Sequence, residues 1–323
     1  MTISDFCQSQ YKDLDCNDIL ICALGYEKRS YYLLERNIQT RNNFNTLIIY
    51  FDDFDNKRLP SNLSSAIRSL MIPNETCSYD QGKKFQNVLL TYIKGIVESL
   101  DDTSLGTIYI DYSSMPRNWY CRLPFMFESA LKNYFLELVF IYVAGIYPEE
   151  YESYPTAGID CLKLFSGGVL PKIDSQRTHL IALSYDTIRT QSLLSILEPE
   201  FLVVCYAYDT LEKKAEIENV NRDIIRRASA SVALPLDDFP HIIQTLNEII
   251  LEQTRNGQVV VIPDGPKPLI FAMSISSILA ENDEITCLHI NRNQHLDDNK
   301  VEVSALENEI YCVKIALNCL ENE

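Results

Sequence analysis

Apolar residues along this chain fall into two recurring patterns. Short continuous runs rich in Ile, Val and Leu read as strands buried on both faces, and longer runs with apolar residues three and four apart read as amphipathic helices. Residues 18–24 (DILICAL), 46–51 (TLIIYF), 107–112 (TIYIDY) and 136–144 have the first pattern, with a weaker extended piece at 76–79. Helices are expected at 27–37, 63–71, 83–100 and 117–133. In 83–100 the stripe is explicit: Phe85, Val88, Leu89, Tyr92, Ile93, Ile96 and Val97. The same order then returns, with strands at 179–184, 201–208, 231–234, 259–262 and 285–290 and helices at 187–197, 211–230, 239–255 and 268–280. The tail, 300–317, alternates around Glu307-Asn308-Glu309 and predicts a hairpin.

Strands that alternate with helices need crossover connections, and right-handed crossovers build parallel sheets covered on both faces. The expected fold class is therefore α/β, with two tandem Rossmann-like domains whose sheets are mainly parallel. Three matches support an internal duplication. Ala23-Leu24-Gly25-Tyr26-Glu27 parallels Ala182-Leu183-Ser184-Tyr185-Asp186, Phe44 and Asp52 parallel Phe201 and Asp209, and Met115-Pro116-Arg117 parallels Gly265-Pro266-Lys267. Their offsets of 159, 157 and 150 shrink slowly in one order. Gly167, Gly168 and Pro171 interrupt the pattern within 166–177, after an acidic, aromatic loop at 147–158, which places the domains at 1–170 and 171–323.

Composition narrows the function. The 323 residues are 46% apolar and 23% charged, enough apolar surface for a buried core. The net charge of −17 disfavours nonspecific DNA binding, which usually needs a basic excess. Among ten cysteines there is no C-x-x-C pair, and Cys22, Cys205 and Cys287 sit inside strand-like runs as small hydrophobes. Local zinc spacings are absent, so no metal site is expected. A reduced, cytoplasmic protein is the economical expectation. The opening MTISDFCQSQYKDLD lacks the basic and apolar segments of a secretion signal. The longest apolar stretch, 136–146, contains Glu137 and is too short to span a bilayer, so no membrane partner is expected.

In open α/β sheets, ligands bind beyond the carboxyl ends of strands. The unusual residues cluster there: Gly25, Tyr26, Glu27 and Arg29 after the first strand, and Asp111, Ser113, Ser114 and Arg117 after the fourth. In the second half the same places hold Ser184, Tyr185 and Asp186, then Asp264, Gly265 and Lys267. Pro116 and Pro266 suit helix starts, which puts Arg117 and Lys267 in first turns. A cation at that positive end makes sense when a phosphate or carboxylate joins it, held also by backbone N–H groups and by Ser113 and Ser114. Glu27 and Asp186 are helix caps, hydrogen-bond acceptors for a base or ribose, or partners of Arg29 or Arg117, and Tyr26 and Tyr185 cover the sheet ends or stack on a base. Asp111 is the candidate catalytic acid or base, without a counterpart in the second half. His289 reads as a core histidine, and Ser166-Gly167-Gly168 as a linker turn. With no G-x-G-x-x-G, Walker A, G-x-S-x-G or H-E-x-x-H sequence, no cofactor is expected.

Asp264-Gly265-Pro266-Lys267-Pro268-Leu269, followed by Ile270-Phe271-Ala272-Met273, resembles the Gly-rich, Lys-containing helix start of CARF-type sensors. Pro266 stands where those sensors carry a small hydroxyl residue. A tandem pair of such halves also looks like the SAVED arrangement, and GYEKRS with DYSSMPR looks like a distinct subfamily. The resemblance implies a Rossmann-like sensor of cyclic or linear oligonucleotides in prokaryotic antiviral defence, acting through an effector or partner protein. The leading expectation is thus a nucleotide-type anion held between the two halves by Arg117 and Lys267. A nucleotide- or nucleoside-processing hydrolase or glycosyl transferase using Asp111 is the alternative. A structural subunit of a defence complex, docking through its acidic surface, is the third.

Overall fold

A computed structural model describes residues 1–2, 5–25, 27–39, 45–52, 59–78, 81–99, 106–131, 136–146, 158–161, 176–291 and 304–317. The continuous apolar runs become central strands. In the first unit β1 (Phe6–Ser9), β2 (Ile19–Leu24), β3 (Asn45–Phe51), β4 (Asn74–Cys77), β5 (Ile108–Asp111) and β6 (Leu136–Ile146) alternate with α1 (Tyr32–Gln39), α2 (Ser61–Ser69), α3 (Gly82–Ser99), α4 (Arg117–Tyr120) and α5 (Leu123–Leu131). All six side chains of β2 are buried, as a strand covered by helices on both faces requires. One face packs Leu20, Cys22, Leu24, Ile48 and Ile141 against Leu33 and Leu34 of α1 and Leu63 and Ile67 of α2.

The second unit holds β7 (Gly158–Cys161), β8 (Arg177–Ala182), α6 (Thr187–Leu197), β9 (Phe201–Tyr208), α7 (Leu211–Val220), α8 (Arg222–Arg227), β10 (Ala230–Pro235), α9 (Phe239–Thr254), β11 (Gln258–Ile262), α10 (Lys267–Leu279) and β12 (Ile285–Asn291). Ile181, Leu183, Val204, Tyr206, Val260 and Ile262 pack against Leu193, Ile217 and Ile224 from α6, α7 and α8. From Pro268 to Ser277 every residue of α10 is buried. Its hydroxyls are satisfied locally, Ser274 on the Ile270 carbonyl at 2.8 Å and Ser277 on the Met273 carbonyl at 2.7 Å.

The last strand, β13 (Ser304–Leu317), completes the first sheet. That sheet runs β1-β13-β6-β5-β2-β3-β4 and the second runs β10-β9-β8-β11-β12-β7. Each contains five parallel strands in one order; counted among themselves along the chain, they run third, second, first, fourth and fifth. Each then adds an antiparallel strand beside the fifth, β13 beside β6 and β7 beside β12. Two mainly parallel, Rossmann-like layers are therefore present.

Several expectations are corrected. The domains do not divide into 1–170 and 171–323: the first unit is Asp5–Tyr151 with Asp297–Glu323, the second Glu152–Leu296. The cause is ladder pairing, since β13 bonds β6 and β7 bonds β12. The tail is one strand rather than a hairpin. Its register shifts between Ala305 and Ile310, so residues 306–309 lie opposite Ala144 alone and form a bulge. The helix expected at 117–133 divides into α4 and α5, with Pro124 in the first turn of the second piece, where its missing N–H is harmless. The helix expected at 211–230 breaks at Asn221, whose amide bonds the Ile217 carbonyl at 3.0 Å and the Ser184 carbonyl at 2.9 Å. The linker turn at 166–168 and most of the loop at 147–158 lie outside the described residues.

Candidate functional site

Strand order reverses between β2 and β5 in the first unit and between β8 and β11 in the second, the places where such sheets open toward ligands. In the first unit the two loops lie close together. A Cβ on Gly25 would lie 2.9 Å from the Phe51 ring and 3.9 Å from Ser114 Cβ, so only glycine fits. Ser30 clasps this turn, donating its hydroxyl to the Gly25 carbonyl at 3.2 Å and accepting the Gly25 N–H at 3.3 Å. Arg29 is buried: its Nε donates to Glu27 at 2.8 Å, one terminal nitrogen to the Tyr142 hydroxyl at 2.9 Å, and the guanidinium lies 5.2 Å from that ring's centroid. Glu27 makes no side-chain cap to the following 3-10 turn and serves Arg29 instead.

On the β5 side, Asp111 accepts the Ser113 N–H at 2.9 Å and the Ser113 hydroxyl accepts the Val143 N–H at 2.8 Å. Asp111 is 2% exposed and pairs with Cys22 in the ladder. Burial, with the Asp111 charge second, raises the Cys22 thiol well above its usual pKa. The Asp111 carboxyl is thus enclosed, and one of its oxygens is committed to the Ser113 turn. In the second unit Ile181 faces Val204 and Ile262 as Cys22 faces Ile48 and Asp111, so the counterpart of Asp111 is apolar.

Ser114 keeps its hydroxyl enclosed without a hydrogen-bond partner among the described residues. Arg117 is also largely buried, but it opens a helix of only 4 residues. So short a helix sums few peptide dipoles, and its start adds little attraction for an anion beside Arg117. Around it Trp119 stacks between Phe51 and Phe85, at 5.1 and 4.3 Å between centroids, and Tyr112 and Tyr120 meet at 5.0 Å. Burial pushes both phenols well above their ordinary pKa. This is a packed aromatic core rather than a stacking platform.

The second unit is built around Arg189, which sequence reasoning missed. Its Nε donates to Asp264 at 2.8 Å, another nitrogen to the Asp264 carbonyl at 3.3 Å, and a third lies 3.5 Å from Asp186. Asp264, 1% exposed, is therefore an internal counter-ion. Asp186 caps α6, accepting the Arg189 N–H at 3.0 Å. The Ser184 hydroxyl accepts the Asp186 N–H at 3.1 Å. Tyr185 is half exposed and donates to Glu216 at 3.4 Å; partial burial and then the Glu216 charge raise its pKa. At Gly265 a Cβ would sit 3.0 Å from that of Ala182 and 3.2 Å from the Leu183 carbonyl, so the turn after β11 presses on the end of β8.

Lys267 follows, half-buried, and opens a helix of 13 residues. Its N-cap is Pro266, which offers no side-chain acceptor. The other helices that leave strands of this unit are closed by their own side chains, α6 by Asp186, α7 by Thr210 and α9 by Asp238. Arg117 and Lys267 belong to different units. Tyr26 lies outside the described residues, as does the His289 side chain. Arg189 carried a faint signal, a basic residue in the first turn after the first strand, as Arg29 is in the other half. Asn221 carried another, an asparagine inside a helical pattern.

Among the described residues no group of His, Cys, Asp and Glu side chains could hold a metal ion. No described helix is long and apolar enough to cross a membrane. No family model matches the chain. No curated protein matches it. Among solved structures, a universal stress protein from Archaeoglobus fulgidus is similar over 87% of this chain and 98% of its own, at 9% identity and a TM-score of 0.23. So loose a superposition carries no argument about function.

Proposed function

We propose that the protein is a receptor for a nucleotide-type anion, seated at the turn Gly265-Pro266-Lys267 where α10 begins. The observation that carries this reading is the missing side-chain cap at that helix start, beside a lysine, in a unit whose α6, α7 and α9 close their own first turns. First-turn amides lack intrahelical acceptors, and together with the dipole and the Lys267 ammonium they suit a phosphate. The close fit at Gly265 brings this turn to the place where the strand order reverses. The resemblance of 264–273 to CARF-type sensors supports the narrower role of a regulatory subunit in prokaryotic antiviral defence, with ligand binding relayed to a partner protein. The same five-strand order in both units, each with a sixth antiparallel strand, supports origin by duplication. An enzyme built on Asp111 has less support, because that carboxyl is buried and holds the Ser113 turn.

Calorimetric titration of the full-length protein with mononucleotides and with linear and cyclic oligonucleotides tests the reading. One class should bind, and Lys267→Ala should weaken it about ten-fold or more while the melting temperature stays near that of wild type. No heat from any of them, or equal affinity in the variant, would sink the proposal.

A further inference from the structure

The first sheet ends at β4, whose outer side pairs with no described strand. Asn74, Glu75 and Thr76 of this strand are exposed. The Ile48 N–H donates to the Pro73 carbonyl at 3.0 Å, so alternation along the strand turns the N–H and C=O groups of Asn74 and Thr76 away from β3. A groove of about 620 Å³ runs between this edge and α3. Its floor is Leu47, Val88 and Tyr92, and its exposed lining includes Pro73, Lys83, Lys84 and one acid, Glu75. The floor is fixed, since the Tyr92 hydroxyl donates to the Thr46 carbonyl at 2.9 Å.

We infer that this edge is a docking site for an extended, acidic segment of a partner protein, which adds to the first sheet as a strand beside β4. Backbone groups of Asn74 and Thr76 supply the ladder, and alternate side chains of the segment enter the groove. Charge selects the occupant. Two adjacent lysines stand out on a molecule of net charge −17, and a second copy would bring that acidity and its own lysine pair to the same edge. Lys84 adds a condition: its ammonium holds the outward carbonyl of Thr76 at 2.7 Å and blunts the edge against chance pairing. A carboxylate is a stronger partner for that ammonium than a neutral carbonyl, so an acidic strand releases the carbonyl it then uses.

Fluorescence anisotropy of a labelled peptide alternating valine and glutamate, titrated with full-length protein, reads the site. Saturable binding is expected, with far weaker binding of the matched valine–lysine peptide. Replacing Lys83 and Lys84 together by alanine should weaken the acidic peptide about ten-fold or more. Thr76→Pro removes an amide that faces outward, a change edge strands tolerate, and should abolish binding with an unchanged circular dichroism spectrum. If that variant fails to fold, slowed hydrogen exchange at Asn74 and Thr76 of the wild type on peptide addition takes its place as the supporting result, and unchanged exchange overturns the inference. Equal binding of the two peptides, or undiminished affinity in the lysine variant or in folded Thr76→Pro, also overturns it. So does a dimer of the protein alone that Thr76→Pro dissociates, which would give the edge to a second copy.

Discussion

Arg29 and Arg189 show how the two units treat a buried charge. Each follows the first parallel strand of its unit, and each is neutralised from within, by Glu27 or by Asp186 and Asp264. Removing one partner of such a pair strands the other in a medium that solvates charge poorly. Arg189→Ala should cost roughly 3–5 kcal/mol in denaturant unfolding, and Arg189→Met with Asp264→Leu should recover much of the loss. A cost under about 1 kcal/mol would mean that Asp264 finds water. Asp264 was legible in the sequence as an unusual residue after a strand, but its role was not. The partner lies 75 positions away, and no local pattern reports an ion pair closed between a loop and the first turn of a distant helix.

Strands and helices were far easier to read than their ends, because apolar periodicity reports burial whereas boundaries depend on single side chains. Asn221 stops one helix by bonding a carbonyl in another loop, and its residue type alone marks only a weak break. The residues Glu307, Asn308 and Glu309 suggest a turn, yet the chain stays extended because β6 offers a partner on both sides of the bulge. Periodicity also passes over weak points within an element. Gly95 sits in the interior of α3, and a Cβ there meets nothing within 4 Å. Gly95→Ala should therefore stabilise the protein by about 0.5–1 kcal/mol, since alanine loses less backbone freedom in a helix. Urea unfolding reads this directly, and a destabilised variant would show that the helix is distorted at that turn.

Across the whole chain, the two units share one order of five parallel strands, and the sixth strands are exchanged. The strand after β6 pairs in the second sheet and the strand after β12 pairs in the first. Such an exchange is invisible to residue matching, because β7 and β13 differ in length, 4 residues against 14, and repeat no motif. It makes the first unit depend on β13, which follows the whole of the second unit in the chain. A protein ended at residue 303 should lose hydrogen-exchange protection in β5 and β6 and keep it in β8 and β11. Unchanged protection of β6 would show that the first sheet closes without its last strand.

The exchange also orders events at the ribosome. The first unit is translated first, yet β6 has no neighbour on one side until β13 is synthesised. The second unit has its whole sheet, β7 through β12, before that moment. The nascent chain thus has every strand of its second sheet before its first sheet can close, and it carries an open strand edge in its earlier half until β13 emerges, a surface that invites chaperones or misassembly.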